Sequence, residues 1–259
     1  MNLEYSCSFA SQVVIEAGKL LIGMTGLSST HYKEDGSLIT TADIKSEEFI
    51  QNQLLTTYKE TCFVSEENPI LPDKRYWWIC DPLDGTTNYI NELPTWGISL
   101  ALMEDCEPVM GIIHLPVINQ TVSAIKGKGT IINGGLVKTR AVKEIEFSDV
   151  ITYCSWRSND FSTEIRGNIK GNVRAFGSSA FHFTQFALGH TVGGWEFGAK
   201  LWDVAAGILI VKEMGGVITL LNGNDPLTSI CLEKSLFERY FKCIMATNQE
   251  VYKLLCDDL

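Results

Sequence analysis

The sequence predicts an α+β fold in which an antiparallel sheet stands beside a second, mixed sheet. Between residues 96 and 132, short apolar segments alternate with turn signals, which is typical of an antiparallel meander. Beyond residue 170, helix-like and strand-like segments alternate instead. The 259 residues are 45% hydrophobic, which supplies enough material for a sizeable core. We expect one domain over 1–259, with an N-terminal α+β half over about 1–145 and a C-terminal α/β half over about 146–259.

Two helices and two short strands are predicted in the first 80 residues. Apolar residues recur at helical spacing over 3–22, and a second amphipathic helix is expected at about Asp43–Tyr58. The polar stretch HYKEDGSLITTAD between them is interpreted as a loop. Strands are predicted at Thr61–Val64 and Tyr76–Cys80.

The later elements follow from the same periodicities. Strands are predicted at Trp96–Met103, Pro108–Leu115, Thr121–Ile125, Thr130–Ile132, 150–156, Thr191–Phe197, Val217–Leu220 and Cys243–Thr247. Helices are predicted at Ser178–Leu188, Trp202–Met214 and Gln249–Cys256. The second of these helices stops at Gly215-Gly216, a favourable C-terminal cap.

The composition argues against several classes of partner. A net charge of −10 disfavours a nucleic-acid backbone as the main partner. No run of about 18 apolar residues suggests a membrane span, and the N-terminus has no basic segment typical of a secretory signal. The eight cysteines form no C-x-x-C pair, and scattered thiols fit a reducing cytosol. We therefore expect a cytoplasmic protein without nucleic-acid or membrane partners.

Acidic residues stand where predicted strands end or helices begin. The stretch DPLDGTTNY at 81–89 follows an apolar strand, Glu66-Glu67 follows another, and Asp43 and Asp203 lie at helix starts. Each has an ordinary structural explanation, because Asp-Pro and Asp-Gly are common turn dipeptides and acids stabilise helix N-termini.

Together, these acids indicate a metal site. Two carboxylates about 4 Å apart repel each other by roughly 4 kcal/mol at an effective dielectric of 20, so a cluster needs cations to remain ionised. Oxygen ligands without His or Cys select Mg²⁺, Mn²⁺ or Ca²⁺. Two such ions can hold the attacking and leaving oxygens of a phosphoryl transfer. The negative net charge does not exclude a phosphorylated substrate, since a bound metal inverts the local sign.

The motifs resemble those of the inositol monophosphatase family over about residues 5 to 250. The stretch 81–88, DPLDGTTN, is similar to the family's first signature, and 201–207, LWDVAAG, is similar to its second. Glu66-Glu67, 40–43 and 177–180 stand in the family's order. The resemblance implies a layered αβαβα sandwich, a metal-dependent and lithium-sensitive phosphatase, and a homodimer.

The resemblance also implies a ligand set for two or three Mg²⁺ ions, for which Mn²⁺ can substitute. The first ion would be held by Glu66, Asp81 and the Leu83 carbonyl, the second by Asp81, Asp84 and Asp203, and a weaker third by Glu66 and Glu67. Lys33 resembles the lysine of the family's mobile metal-binding loop.

The catalytic roles are carried over in the same way. Glu66 and the Thr86 hydroxyl would orient an attacking water, and Asp43 would accept a hydrogen bond from Thr86. Gly85 and Thr86 would present backbone N–H groups to the phosphate. The substrate would also contact Asp84 and Asp203.

The leaving group is expected to be a small phosphorylated polyol or sugar. Glu196, seven residues before Asp203, resembles the family acid that binds ring hydroxyls, and Ser178 and Ser179 would line the same side. This favours inositol-1-phosphate. Fructose 1,6-bisphosphate is the alternative, followed by histidinol phosphate or a nucleotide 3′-phosphate, and a regulatory partner-binding role is the alternative from another class.

The sequence departs from the family pattern at three places. Ser65 stands where a glycine commonly precedes the paired acids, and Gly177-Ser178-Ser179 replaces a frequent G-S-A or G-T-A. The loop from Lys33 to Asp43 is about a residue short, which leaves the third metal site less well supported.

Overall fold

The computed structural model describes residues 1–33, 36–155, 170–220, 237 and 240–257. The helices in these ranges are α1 Leu3–Met24, α2 Thr41–Thr57, α3 Thr86–Ile90, α4 Ser179–Ala187, α5 Leu201–Glu213 and α6 Gln249–Asp257. The first nine strands are β1 Thr30–Tyr32, β2 Leu38–Thr40, β3 Cys62–Ser65, β4 Tyr76–Asp84, β5 Gly97–Glu104, β6 Glu107–Leu115, β7 Gln120–Ile125, β8 Gly129–Ile132 and β9 Gly135–Val137. The others are β10 Val150–Ser155, β11 Asn172–Arg174, β12 Gly193–Ala199, β13 Val217–Leu220 and β14 Phe241–Ala246.

The larger sheet follows chain order from β3 to β9. All neighbouring strands in it are antiparallel except β3 and β4, which are parallel. Both faces of β4 are buried, because Trp77 and Ile79 join one hydrophobic cluster while Trp78 and Cys80 join another. The predicted antiparallel sheet is therefore present, with one parallel pair at its edge.

The second sheet is mixed, as predicted. Its strand order is β11-β10-β12-β14-β13. Strand β10 is parallel to both of its neighbours, whereas β14 is antiparallel to β12 and β13. Parallel pairing requires crossover connections, and α4 lies in the connection that leads to β12.

Three hydrophobic clusters define five layers. Helices α1 and α2 pack on one face of the larger sheet, and α4 and α5 fill the space between the two sheets. Helix α6 packs on the outer face of the second sheet through Val251 and Leu255. Helix α5 approaches the larger sheet closely, because a Cβ at Gly111 would lie 2.7 Å from the Ala206 carbonyl oxygen. The expected α+β sandwich is confirmed.

Helix α1 is long and apolar enough to cross a membrane by length and composition alone. Its inward residues Ala10, Val14, Ala17 and Leu21 are fully buried within the cluster beneath the larger sheet. A core helix of a sandwich passes the same test, so the helix is weak evidence for a membrane.

Some predicted boundaries were wrong for physical reasons. The stretch interpreted as a loop contains the antiparallel pair β1–β2. Strand β1 is exposed and β2 is only partly buried, so the pair gives no clear apolar alternation. Strand β4 continues through Pro82 to Asp84, because a register shift between Asp81 and Asp84 accommodates the proline. The three-residue strands β9 and β11 were missed, since such short segments carry too little periodicity. Residue 156 of the predicted strand 150–156, and residues 34 and 35 of the polar loop, lie outside the described residues.

Candidate functional site

A pocket of about 810 Å³ opens where the ends of several elements meet. Its walls include Lys33, Glu66, Asp81, Asp84, Thr86 and Asp203. These residues come from the turn after β1, the turn after β3, the end of β4 and the starts of α3 and α5. The structure therefore brings together acids that are widely separated in the sequence.

Three aspartates form the floor of this pocket. Ligand oxygens of Asp81, Asp84 and Asp203 all lie within 4.8 Å of one another. The register shift in β4 places Asp81 and Asp84 on the same side of the strand end, and the backbone N–H of Leu83 donates to Asp81 Oδ1 at 2.9 Å. We call these three residues the aspartate cluster.

Neighbouring donors hold the outer two aspartates in place. Asp84 Oδ2 accepts hydrogen bonds from Ser178 Oγ at 2.5 Å and from the Ala180 backbone N–H at 2.6 Å. Asp203 lies in the first turn of α5, and its Oδ2 accepts from the Lys200 backbone N–H at 2.7 Å.

Burial makes the aspartate cluster unfavourable when it is fully ionised. Burial, followed by repulsion from nearby carboxylates, raises the pKa of both Asp81 and Asp203 well above the usual range. Burial also raises the pKa of Asp84 to about 6, although Ser178 and Ala180 counteract the effect. Such a compact set of oxygen donors fits a hard divalent cation such as Mg²⁺, which would neutralise the accumulated charge.

Thr86 connects this cluster to α2. Its hydroxyl lies 3.2 Å from Asp43 Oδ1 and 3.1 Å from the Leu83 carbonyl oxygen, and it can donate to either. The other oxygen of Asp43 accepts from the backbone N–H of Thr40 at 2.9 Å and from its hydroxyl at 2.6 Å. Burial raises the pKa of Asp43 to about 6. The structure thus contains the pairing of Thr86 with Asp43 that the resemblance implies.

The paired acids after β3 are bound to one lysine. Lys33 Nζ lies 2.8 Å from Glu66 Oε1 and 2.9 Å from Glu67 Oε1. Burial, followed by repulsion from Glu66, raises the pKa of Glu67 to about 7. Burial lowers the pKa of Lys33, but the attraction of the two glutamates outweighs it and the net shift is upward. Lys33 is therefore in contact with the acids implied for the first and third ions.

Gly85 lets the chain turn from β4 into α3. It has φ of 89°, in the left-handed region that favours glycine. A Cβ there would lie 3.1 Å from the Ser178 Cβ and 3.2 Å from the Thr95 carbonyl oxygen. Because Gly85 has no side chain, its backbone can approach these neighbours closely. Gly85 and Thr86 both line the pocket wall.

The sequence interpretation missed a support for the paired acids. Ser65 is fully buried, and its hydroxyl donates to Glu47 Oε2 at 2.5 Å while accepting from the Asn68 backbone N–H at 3.0 Å. Glu47 lies one helical turn after Asp43 on α2, so both acids are on the same face. The four-residue spacing of Asp43 and Glu47 was the only sequence signal that Glu47 faces the site. Ser65, which the sequence analysis noted only as a departure from glycine, is the residue that binds Glu47.

Glu196 lies elsewhere than the sequence interpretation implied. Its side chain on β12 is fully buried and does not line the pocket. Its Oε2 accepts from Ser179 Oγ at 2.8 Å, and its Oε1 lies 2.6 Å from His182 Nδ1. Ser178 and Ser179 do line the pocket. Glu196 therefore does not contact the pocket directly, but it is hydrogen-bonded to Ser179 on the pocket wall. Its repulsion also adds to the effect of burial on the pKa of Asp84.

A second group of potential ligands does not fit a metal. Ligand atoms of Cys154, His182 and Glu196 lie within 4.8 Å of one another. However, the Phe176 backbone N–H donates to His182 Nε2 at 3.0 Å, so Nε2 carries no proton and Nδ1, which faces Glu196, must carry one. A protonated Nδ1 cannot bind a metal. His182 was missed in the sequence because a lone histidine in an apolar helix gives no signal.

The raised pKa values predict how Mg²⁺ changes stability with pH. Asp43 and Asp84 have folded pKa values of about 6, above the unfolded value of about 3.9, so without metal their contribution to stability is lost as pH rises through this window. We expect the gain in unfolding free energy on adding saturating Mg²⁺ to be about 2 kcal/mol larger at pH 7.5 than at pH 5.

Urea unfolding at both pH values, with Mg²⁺ and with chelator, measures this gain. His114, whose pKa burial lowers to about 4, changes stability in the opposite sense, but it does so equally with and without metal. A gain that is the same at both pH values would contradict a cation bound to Asp84 and close to Asp43.

Comparisons with known proteins agree with this geometry. The model of the family described as "Inositol monophosphatase family" matches residues 2–259. A protein of Aquifex aeolicus named "Fructose-1,6-bisphosphatase/inositol-1-monophosphatase" is 31% identical over 85% of this chain and 87% of its own length. A protein of Pasteurella multocida named "Nus factor SuhB" is 30% identical over 77% of this chain and 78% of its own length.

A solved structure has the same fold. The extragenic suppressor protein suhB of Bartonella henselae superposes with a TM-score of 0.82 and 28% identity, covering 96% of this chain and 95% of that one.

Proposed function

Because this chain belongs to the inositol monophosphatase family, we propose that it is a Mg²⁺-dependent phosphatase that hydrolyses inositol-1-phosphate by direct attack of water. One observation carries the proposal: three aspartates, two buried and one half-buried, converge within 4.8 Å on the floor of an open pocket. Membership of a phosphatase family supports hydrolysis, and the oxygen-only donor set supports Mg²⁺.

The chain's own residues have distinct tasks in this reaction. Asp81, Asp84 and Asp203 would hold Mg²⁺, which when bound supplies positive charge for the phosphate and activates water. Thr86 would orient the attacking water through its hydroxyl, and Asp43 would fix the direction of that hydroxyl. Glu66, released from Lys33 when cations bind, would orient the same water from the other side. No covalent phosphoenzyme is needed, since the water attacks phosphorus directly.

The leaving group is tested with a panel of esters. With Mg²⁺, we expect the highest kcat/KM for inositol-1-phosphate, followed by fructose 1,6-bisphosphate, with histidinol phosphate and a nucleotide 3′-phosphate slower. The name of the Aquifex relative supports the second place for the bisphosphate. Phosphate release is measured for each ester with Mg²⁺ and in excess chelator. Full activity in chelator, or no release from any ester, would overturn the proposal.

Lithium is expected to inhibit the reaction. Li⁺ is similar to Mg²⁺ in size but has half its charge, so it could occupy the aspartate cluster after hydrolysis and retain phosphate. Inhibition should be uncompetitive with substrate and should appear at roughly tens of millimolar, because a singly charged ion binds weakly. The check is a set of initial rates at several substrate and LiCl concentrations, with NaCl as the ionic-strength control. Unchanged rates would refute lithium sensitivity.

A regulatory, partner-binding role is the second candidate. It is favoured by the name of the Pasteurella relative, "Nus factor SuhB". The complete set of acids in the pocket favours catalysis instead, since a purely regulatory protein does not need them. The homodimer, the cytoplasmic location and the absence of a nucleic-acid partner stay predictions, and the first is measured by sedimentation.

A further inference from the structure

Two neighbouring residues of α2, Ser46 and Glu47, hold segments that carry the acids of the pocket. The Ser46 hydroxyl donates to the Pro82 carbonyl oxygen at 2.9 Å. Glu47 Oε2 accepts from the Ser65 hydroxyl at 2.5 Å. Both serines are fully buried and Glu47 is half-buried. Neither α2 residue lines the pocket, so each acts on it through the segment that it holds.

The Ser65 hydroxyl closes the turn that carries the paired glutamates. Its only hydrogen is donated to Glu47, so its lone pairs are free to accept from the Asn68 backbone N–H at 3.0 Å. The Ser65 backbone N–H donates to the Asn68 carbonyl oxygen at 3.4 Å. Glu66 and Glu67 lie between these two residues. One hydroxyl therefore both closes the turn and ties it to α2.

The Ser46 hydroxyl acts on the bend at the end of β4. The carbonyl oxygen that it contacts belongs to the peptide between Pro82 and Leu83. The N–H of the same peptide donates to Asp81 Oδ1 at 2.9 Å. This peptide is thus held at both its oxygen and its nitrogen. The orientation of the Asp81 carboxylate is therefore linked to α2 through one peptide group.

The other two members of the aspartate cluster are held from elsewhere. Asp84 accepts from Ser178 and from the Ala180 N–H, at the start of α4. Asp203 accepts from the Lys200 N–H, at the start of α5. Helix α2 therefore holds the segments that carry the ligands implied for the first ion, whereas the ends of α4 and α5 hold the rest of the cluster.

We propose that the Ser65 hydroxyl, through Glu47, positions Glu66 for the first ion. Ser46 positions the peptide 82–83 for the same ion. The three polar side chains would thereby set the affinity for that ion without contacting it. This deepens the proposed function and rests on it for the identity of the ligands. A glycine at residue 65, common in the family, cannot make the side-chain link.

Binding of Mn²⁺ to the full-length protein without substrate tests the proposal. Isothermal titration calorimetry gives the Kd of the tighter ion. Ser65→Ala should raise this Kd about 10-fold, the effect of losing one hydrogen bond to a charged group. Ser46→Ala should raise it as well. The Mg²⁺ concentration for half-maximal activity should rise in parallel, while kcat at saturating Mg²⁺ should be nearly unchanged, because every ligand is still present.

Two variants of Glu47 separate the hydrogen bond from the charge. Glu47→Gln keeps an acceptor oxygen, so the Kd for Mn²⁺ should stay near the wild-type value. Glu47→Met has similar length without an acceptor and should weaken binding as Ser65→Ala does. The double variant should cost no more than Ser65→Ala, since both changes remove one hydrogen bond. Equal weakening by Gln and Met would show that Glu47 acts by its charge, and would overturn the proposal.

Thr61→Val is the matched control for loss of a buried hydroxyl. Thr61 precedes β3, at the opposite end from Ser65, and its hydroxyl donates to the Tyr58 carbonyl oxygen at 2.7 Å. This variant should lower the free energy of unfolding and leave the Kd for Mn²⁺ unchanged. Ser65→Gly, with the residue common in the family, replaces Ser65→Ala if the alanine variant does not fold. A wild-type Kd in the Ser65 variant, or an equal rise in Thr61→Val, would overturn the proposal.

Metal binding and turnover are measured separately, so the two proposals can fail separately. No hydrolysis of any ester, together with weaker Mn²⁺ binding in the Ser65 variant, would refute the phosphatase and support the positioning role. Ester hydrolysis with the same Mn²⁺ affinity in every variant would support the phosphatase and refute the positioning role. A wild-type protein that binds no Mn²⁺ would refute the positioning role as well.

Discussion

Replacing Asp81 by asparagine is expected to lower kcat/KM by about 10³-fold or more while the protein stays folded. Asp81 is the member of the aspartate cluster whose pKa is raised by burial and then by Glu66, Asp84 and Asp203 together. It therefore lies where several acids converge, and its loss removes charge that metal binding requires. A bound metal contributes several kcal/mol to such a transition state, which corresponds to this loss in rate.

The same substitution should not destabilise the metal-free protein. Removing one negative charge relieves repulsion within the cluster, so the melting temperature in chelator should be equal to that of the wild type or higher. Asp149→Asn is the matched control, because Asp149 is equally buried but paired with Arg140 at 2.7 Å, away from the pocket. That variant should lose stability and keep its turnover. An Asp81→Asn variant with near-normal activity would contradict the assignment of the metal site.

Thr86→Val should have the next largest effect, a decrease in kcat of about 10²- to 10³-fold, the range found when a donor to a developing charge is removed. The hydroxyl of Thr86 lies between Asp43 Oδ1 and the Leu83 carbonyl, and valine keeps its shape without the hydrogen bonds. Steady-state kinetics with saturating Mg²⁺ measure the loss, and KM should change little.

Two further variants separate catalysis from stability in that experiment. Thr130→Val removes a buried hydroxyl that donates to the Ile210 carbonyl oxygen at 2.9 Å, so it should reduce stability without reducing kcat. Asp43→Asn combined with Thr86→Val should cost little more than Thr86→Val alone, because both act through one hydroxyl. Additive losses would show that Asp43 acts independently of Thr86.

Much of the sandwich, and the position of the acids that converge on the pocket, could be predicted because both depend on local patterns. Strand β4 alternates between two buried faces, so its apolar run was visible, and α5 shows helical periodicity up to its glycine cap. The acids Asp81, Asp84 and Asp203 stand next to such segments, where convergence is a reasonable expectation. The resemblance of the surrounding motifs to those of the family then indicated that these three acids belong to one site, which periodicity alone cannot show.

The failures concern contacts between distant segments. Whether Glu196 faces the pocket depends on the side of β12 that α4 covers, and no pattern within the strand determines that. His182 matters only because the Phe176 N–H and Glu196 reach its two nitrogens. The short strands β9 and β11 exist through pairing with their neighbours and not through their own composition.

The separation of the aspartates along the chain has a consequence for assembly in the cell. Asp81 and Asp84 belong to the larger sheet, whereas Asp203 belongs to α5. Asp203 reaches the other two only when α5 is packed between the sheets and against Gly111. A chain in which α5 has not yet packed would bring together only two of the three aspartates, so it could not hold a cation as the folded protein would. Cellular Mg²⁺ would therefore stabilise completed molecules selectively, as a ligand that binds only the native state. Binding of the ion would then distinguish fully folded chains from incompletely folded ones. Chains in which α5 has not inserted would not be stabilised and would remain open to proteolysis.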